Sequence, residues 1–460
     1  MPNLENSVKG NLNRLATGSI GCLLWDYSVP TVVGLLVMSL YNVVDRIFIG
    51  RGVGPEAISG LAITFPVMNL ATALGVLVGA GATARVSIFL GRKDMHSASL
   101  VLGNALILLI INATIYISIF GIFIDPILRA FGASDVTLPY ARDFILWLLP
   151  GLLMTNLAFG FNNIMRASGY PMRAMMTMIL GALINLALAP LFIFTFGLGI
   201  KGAAIASDIA MTCSMIFVMT HFMRRDVTLR FTRGIYRLKW SIVIGIISIG
   251  AAPALVIAAA GFINVIINNS LSRYGGDISI GAAGIFSTYT SLIVMIIIGT
   301  CQGMQAIIGY NYGAGNLDRL KRAYWLSVSV TTAICVSGSA FGRCFPSLIA
   351  KAFTSDSYLI EVTSRCLSLS LLAFSVVGFQ VVSTTFFQSI GSVGKSIFLS
   401  LTRQVIFLIP LLFILPDKFG LDGVWLSFPG SDLLATLVTG ALIYFEFRRI
   451  DREARLKTCA

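Results

Sequence analysis

Charged side chains are what this chain has least of. They make up 12 % of its 460 residues, about half the share of a soluble domain, while 57 % are hydrophobic. That excludes a water-soluble globular protein. Histidine is represented only by His96 and His221, both at ends of apolar runs, which excludes a multi-histidine metal centre. Seven cysteines (Cys22, Cys213, Cys301, Cys335, Cys344, Cys366 and Cys459) are an odd, scattered set without a C-x-x-C pair, so neither a disulfide framework nor a metal site is readable. P-loop, H-E-x-x-H and G-x-S-x-G motifs are missing; direct ATP drive is not expected, nor an enzyme, nor an organic cofactor. The first apolar run is too long for a cleavable signal, so its helix is expected to stay in the mature protein.

What the chain does have is long apolar runs. Twelve are long enough to span a bilayer, at about 29–49, 57–84, 100–124, 139–161, 172–196, 202–223, 241–268, 280–307, 324–346, 361–386, 396–416 and 423–446. The net charge of +13 sits in the loops between runs rather than in a stripe that would hold nucleic acid. Alternate loops hold the clusters, among them Arg85, Arg92 and Lys93, and the series from Arg224 to Lys239. The intervening loops hold single cations such as Arg51, Lys201 and Lys351. The positive-inside rule therefore predicts an inner (plasma) membrane protein with both termini cytoplasmic.

The basic stretch 224–240 falls at mid-chain, and the two sides of it resemble one another. Gly91 and Gly313, in similar loops, are separated by 222 positions, as are Gly169 and Gly391, while Gly202 and Gly423 are separated by 221. The reading is an all-α integral membrane protein of twelve transmembrane helices in two parallel six-helix repeats. A cytoplasmic segment (1–27) precedes the first lobe (28–223), and the linker (224–240) leads to the second lobe (241–447) and a basic tail (448–460). Two like-oriented bundles leave a cleft that rocking exposes to each side in turn, which is the architecture of a secondary transporter.

The first run ends in Tyr41, Asn42 and Asp45, spaced i, i+1, i+4 and so within one helix sector. An intramembrane acid is a functional-site candidate. The alternative is a shallow acid at the interface, paired with Arg46 or Arg51.

Several stretches resemble the multidrug and toxic compound extrusion (MATE) family of cation-coupled antiporters, in a likeness covering about 25–450. They are Val44-Asp45-Arg46-Ile47-Phe48-Ile49-Gly50, Asn162-Asn163-Ile164-Met165-Arg166-Ala167-Ser168-Gly169, Gly199-Ile200-Lys201-Gly202, Gly309-Tyr310-Asn311-Tyr312-Gly313 and Phe386-Phe387-Gln388-Ser389-Ile390-Gly391. The chain looks closest to the branch with the damage-inducible transporters. The resemblance implies efflux of bulky, cationic or aromatic compounds driven by protons or sodium ions, with a cation site at Asp45, Asn162, Asn185 and Ser207. The family's second acid on the fifth helix is missing, Ala189 standing in its place; Asp208 is the candidate substitute, although it is turned about 100° from Ser207.

For the substrate cavity the sequence offers Tyr41, Asn42, Asn264, Asn268, Gln302, Gln305, Gln380 and Arg403, polar groups that can equally tie helices together. The expected protein is a monomeric antiporter with small organic molecules and the lipid bilayer as its partners. An exporter or flippase of a lipid-linked envelope precursor is the alternative, and a channel or membrane-embedded enzyme a third.

Overall fold

The computed structural model describes residues 13–458, and the side chains of 55–59 and 453–458 are left aside. Lys9, with the rest of 1–12 of the segment read as the lead-in, and Cys459 lie outside the described residues. Among the described residues the chain is helical throughout its spans and holds no strand.

The first span is Ile20–Gly52, the second Pro55–Gly91, the third Met95–Ile122, the fourth Leu138–Ala167, the fifth Pro171–Thr195 and the sixth Gly199–Met223. Residues Trp240–Gly313 form one long helix, broken at Gly276 (φ 66°, ψ −169°), a conformation open in practice only to glycine. That break makes it the seventh and eighth spans. The ninth is Leu317–Cys344, the eleventh Val393–Phe419, and the twelfth starts at Leu421. The tenth is a broken span, Ser357–Ser370 and Phe374–Ser389, bent by 53°. Twelve spans result, as the apolar runs predict. The first starts earlier than its run, at Ile20, because Leu23, Leu24 and Tyr27 are buried inside the protein and Ser19 caps the helix by accepting from the Cys22 N–H.

The linker is not a loose tether. Phe231 packs its ring at a tilt against Phe161 and Phe222, and Ile235 is buried. Asn104 of the third span donates to the Arg237 carbonyl (3.1 Å) and accepts from the Lys239 N–H (3.0 Å). Arg224 forks onto Asp226 (2.9 and 2.8 Å), and this holds the Asp226 carboxyl below the usual carboxylate range.

The lobes meet along the half of the molecule that carries the basic loops. A Cβ on Gly81 of the second span would fall on the Ile246 carbonyl of the seventh, and one on Gly250 on the Leu77 carbonyl. The same reciprocity joins Gly91 to Tyr310 and Gly313 to Ile88. The first span also packs closely on the eighth, Gly303 facing Tyr27 and Ser28. Arg319 closes the edge by donating to the carbonyls of Gly18 (2.6 Å) and Leu15 (3.2 Å). Towards the other face the first span loosens: Leu40, Val43 and Ile47 are exposed.

A side chain at Gly81 or Gly250 would strike backbone, which cannot rotate away. Overpacking costs about 1–3 kcal/mol, and the Gly81→Val and Gly250→Val variants are expected to part the lobes on the basic-loop side. The check is maleimide labelling from that side in chains keeping Cys301 as the sole cysteine. Labelling of the variants but not the parent is expected; equal protection would show that the seam tolerates bulk.

Candidate functional site

Two cavities lie behind the seam. One, of about 90 Å³, is formed almost wholly by the first lobe, and its lining includes Tyr41, Asn162, Arg166, Asn185 and Ser207. The other, of about 420 Å³, runs between the lobes and is lined by residues of both, among them Asn163, Gln302, Gln305, Gln380, Gln388 and Arg403. They share Leu35, Phe159 and Gln302. The neighbours Asn162 and Asn163 are split between them.

In the first-lobe cavity the polar groups also tie helices. Asn162 donates through Nδ2 to the Ala174 carbonyl (2.7 Å), joining the fourth span to the fifth. Asn185 donates through Nδ2 to Ser207 Oγ (2.9 Å), joining the fifth to the sixth. Both asparagines thus spend an N–H and keep the amide oxygen. Arg166 is 3 % exposed, and Nη2 donates to Asn163 Oδ1 in a short contact. No carboxylate pairs with it among the described residues.

Asp45 does not line this cavity. It lies one helical turn beyond Tyr41, half-buried, and its buried Oδ1 accepts no hydrogen bond from the described residues. The pairing with Arg46 or Arg51 is not made among the described residues; Arg46 instead lies over the Phe65 ring, 4.6 Å from its centroid. Asp208 also falls outside the cavity: it is wedged against Gly151 of the fourth span, where a Cβ would meet its Oδ1. Ser207, Ala210, Met211 and Ser214 line the cavity at i, i+3, i+4 and i+7, and the turn of one residue carries Asp208 off that face. Among the described residues, therefore, no acid lines the first-lobe cavity.

Of the substrate-cavity candidates, Tyr41 lines the first-lobe cavity, and Gln302, Gln305, Gln380 and Arg403 line the cleft. Asn42 is exposed, its Nδ2 donating to the Met38 carbonyl of its own helix (2.9 Å). Asn264 and Asn268 are exposed on the seventh span and line neither space. Among the described residues, Gln302 Oε1, Gln305 Nε2 and Gln380 Oε1 in the cleft are buried without a protein partner.

Sequence reading missed Asp432. It is 2 % exposed on the twelfth span and accepts from Arg403 Nε at 2.6 Å. As an acid well inside an apolar run it carried the signal that singled out Asp45. Further towards the basic-loop side, Glu446 is fully buried and held by Lys395 and by Arg449, at 2.7 Å from the latter.

The sequence matches the MatE family over residues 30–191 and again over 252–414, so the two matches begin 222 residues apart, the spacing of the internal repeat. It is similar to the multidrug export protein MepA of Staphylococcus aureus (strain NCTC 8325 / PS 47), at 27 % identity over 92 % of this chain and 93 % of the relative. It is also similar to an FAD transporter of Shewanella oneidensis, at 26 % identity over 96 % of this chain and 98 % of the relative. The fold superimposes on a multidrug resistance MATE family transporter of the MOP superfamily in its outward-facing conformation, with a TM-score of 0.90 and 24 % identity, over 95 % of this chain and 98 % of that one.

Asn163 is the described partner of a buried guanidinium. Asn163→Leu leaves it unsatisfied, at about 1–3 kcal/mol or more for a charged group, so thermal unfolding in detergent is expected a few degrees lower. Asn163→Asp is expected to hold or raise the midpoint. An unchanged midpoint for the leucine variant would mean that Arg166 finds another partner.

Proposed function

Since the chain belongs to the MatE family of membrane transporters, we propose that it exports drug-like organic compounds by alternating access in exchange for protons, with Asp45 as the coupling carboxylate. The protein is a multi-pass membrane transporter and not an enzyme; the inner membrane, with both termini cytoplasmic, is the placement its basic loops support. The observation that carries the reading is the one-sided seam. Two lobes in backbone contact on the basic-loop side, with a 420 Å³ cleft behind that contact, are an outward-facing transporter held shut towards the cytoplasm.

The first-lobe cavity favours a proton over a sodium ion. A hard cation needs oxygen ligands, and charge from carboxylates sets its affinity. Here Asn162, Asn185 and Ser207 bring uncharged oxygens, and Arg166 lines the same space. Asp45 lies outside that space with a buried oxygen that, like Asp208 Oδ1, no donor among the described residues satisfies. An ionised oxygen in that position is costly; a proton arriving from outside satisfies it and removes the charge. Loss of that proton towards the cytoplasm resets the first lobe. Asp208 has a buried unpartnered Oδ1 too, but it is wedged against Gly151 of the fourth span and off the face that lines the cavity, which argues against the role of the family's second acid.

The expected result in everted vesicles is export of a fluorescent substrate driven by a proton gradient and not by an imposed sodium gradient. Asp45→Asn is expected to reduce the driven rate to that of protein-free vesicles. Gradient-driven export by the asparagine variant at the parental rate would remove Asp45 from the coupling role, and sodium-driven export would overturn the choice of ion.

A further inference from the structure

The central cleft is short of negative charge for a site that would hold organic cations. Its lining includes one formal charge, Arg403, and no carboxylate. The remaining polar groups are uncharged: five glutamines (Gln302, Gln305, Gln380, Gln388 and Gln404), with Asn163 and a few hydroxyls. Gln305 and Gln380 are each 6 % exposed, and Gln305 Nε2 and Gln380 Oε1 have no partner among the described residues. Buried amide atoms left open in this way cost free energy unless something fills the space between them and bonds to them.

Arg403 is built into this wall in a specific manner. Its Nε donates to Asp432 behind it, at 2.6 Å. Asp432 is 2 % exposed and does not line the cleft, whereas the Arg403 side chain is 29 % exposed and does. The carboxylate thus fixes the guanidinium from the rear and offsets its charge. The two terminal nitrogens make no hydrogen bond among the described residues. An ion pair whose sole role was to join the eleventh and twelfth spans would be enclosed on both sides; this one presents donors to the cavity. The backbone assists: Thr402–Leu408 is π-helical, and such segments frequently mark functional sites. Arg403 and its neighbour Gln404 both reach the same cleft from it.

The repeat sharpens the point. Positions 222 residues before Arg403 and Asp432 are Gly181 and Ala210, and both line the first-lobe cavity. The second lobe has placed a charge pair where the first has left space.

We propose that Arg403, positioned by Asp432, is the specificity-determining residue of the cleft, and that it selects aromatic substrates carrying a planar acceptor edge, such as a ring carboxylate beside a keto group, over permanent cations that have none. This deepens the export reading and rests on it. A guanidinium matches a carboxylate or a carboxylate–keto edge through paired N–H donors in one plane. The glutamine oxygens then suit a donor at the other end of the molecule. A volume of about 420 Å³ is within the usual range for a drug-sized ligand. An offset charge matters here, because a lone arginine would repel every cationic compound, whereas the pair discriminates by hydrogen-bond geometry.

Removing Arg403 alone would strand Asp432 in the protein interior, which is strongly destabilising, so the test uses two other variants. Arg403→Lys keeps a charge for Asp432 but loses the fork; the double variant Arg403→Gln with Asp432→Asn removes both charges together. Purified transporter in proteoliposomes under a proton gradient is offered norfloxacin, a zwitterion with a carboxylate–keto edge, and ethidium, a permanent cation without an acceptor. For norfloxacin, transport efficiency is expected to fall about tenfold or more in both variants, the loss of one strong bidentate contact, with ethidium within about twofold of the parent. A structural defect would lower both substrates in parallel, and that outcome overturns the proposal, as does norfloxacin transport at the parental rate in both variants. A parent that moves ethidium and not norfloxacin overturns it as well. A parent that moves neither under any gradient refutes the export reading, and the proposal falls with it.

Discussion

Two membrane-spanning backbones touch most closely where side chains are missing, and between the two lobes such contact lies in the half that carries the basic loops. The seam made by Gly81, Gly91, Gly250 and Gly313 brings the second span against the seventh and eighth. Between apolar helices in lipid there is little hydrophobic drive to associate, so close packing of small residues is a main source of attraction. Small residues give that closeness but no directionality, and Arg319, reaching the carbonyls of Leu15 and Gly18, adds the register. Everything that concerns transport lies beyond this contact. The cleft exists because the lobes, joined on one side, diverge from there.

Polar groups sort themselves by what satisfies them. Asn162, Asn185 and Ser207 hydrogen-bond across the first lobe and so hold its helices around a small cavity. Glu446, Lys395 and Arg449 form a charge cluster near the basic-loop face. Among the groups left incompletely satisfied by the described residues are Asp45, the cleft glutamines and the terminal nitrogens of Arg403. In an apolar surrounding, incomplete satisfaction marks the places where something else must arrive. Those places lie on the first span and in the cleft.

The sequence made the architecture legible because apolar length and loop charge are properties of single segments, and the 222-residue repeat needs only self-comparison. Gly276 divides the seventh span from the eighth where the hydropathy dips. The bend of the tenth span was not visible, since Leu371, Leu372 and Ala373 are as apolar as a continuous helix would be. Asp208 was legible as doubtful from helix geometry alone: one residue of turn carries it from the cavity to Gly151. Asn42, Asn264 and Asn268 have the same composition signal as Asn162 and Asn185, and only packing separates the exposed from the enclosed. The Arg403–Asp432 pair joins positions 29 apart in sequence, a spacing that no local pattern reports.

The π-helical stretch from Thr402 to Leu408 has one more implication. A widened turn accommodates a residue more than a regular one does, so it is a feature of chain length and not of side-chain chemistry. Point substitution cannot create or erase it cleanly; an insertion or deletion of a single codon can. Shortening the eleventh span by one residue would rewind the turn and rotate Arg403 and Gln404 off the wall they share. Relatives that differ there by one position would then carry similar letters in a differently coloured cavity, and ranges of transported compounds could diverge in one evolutionary step without disturbing the scaffold.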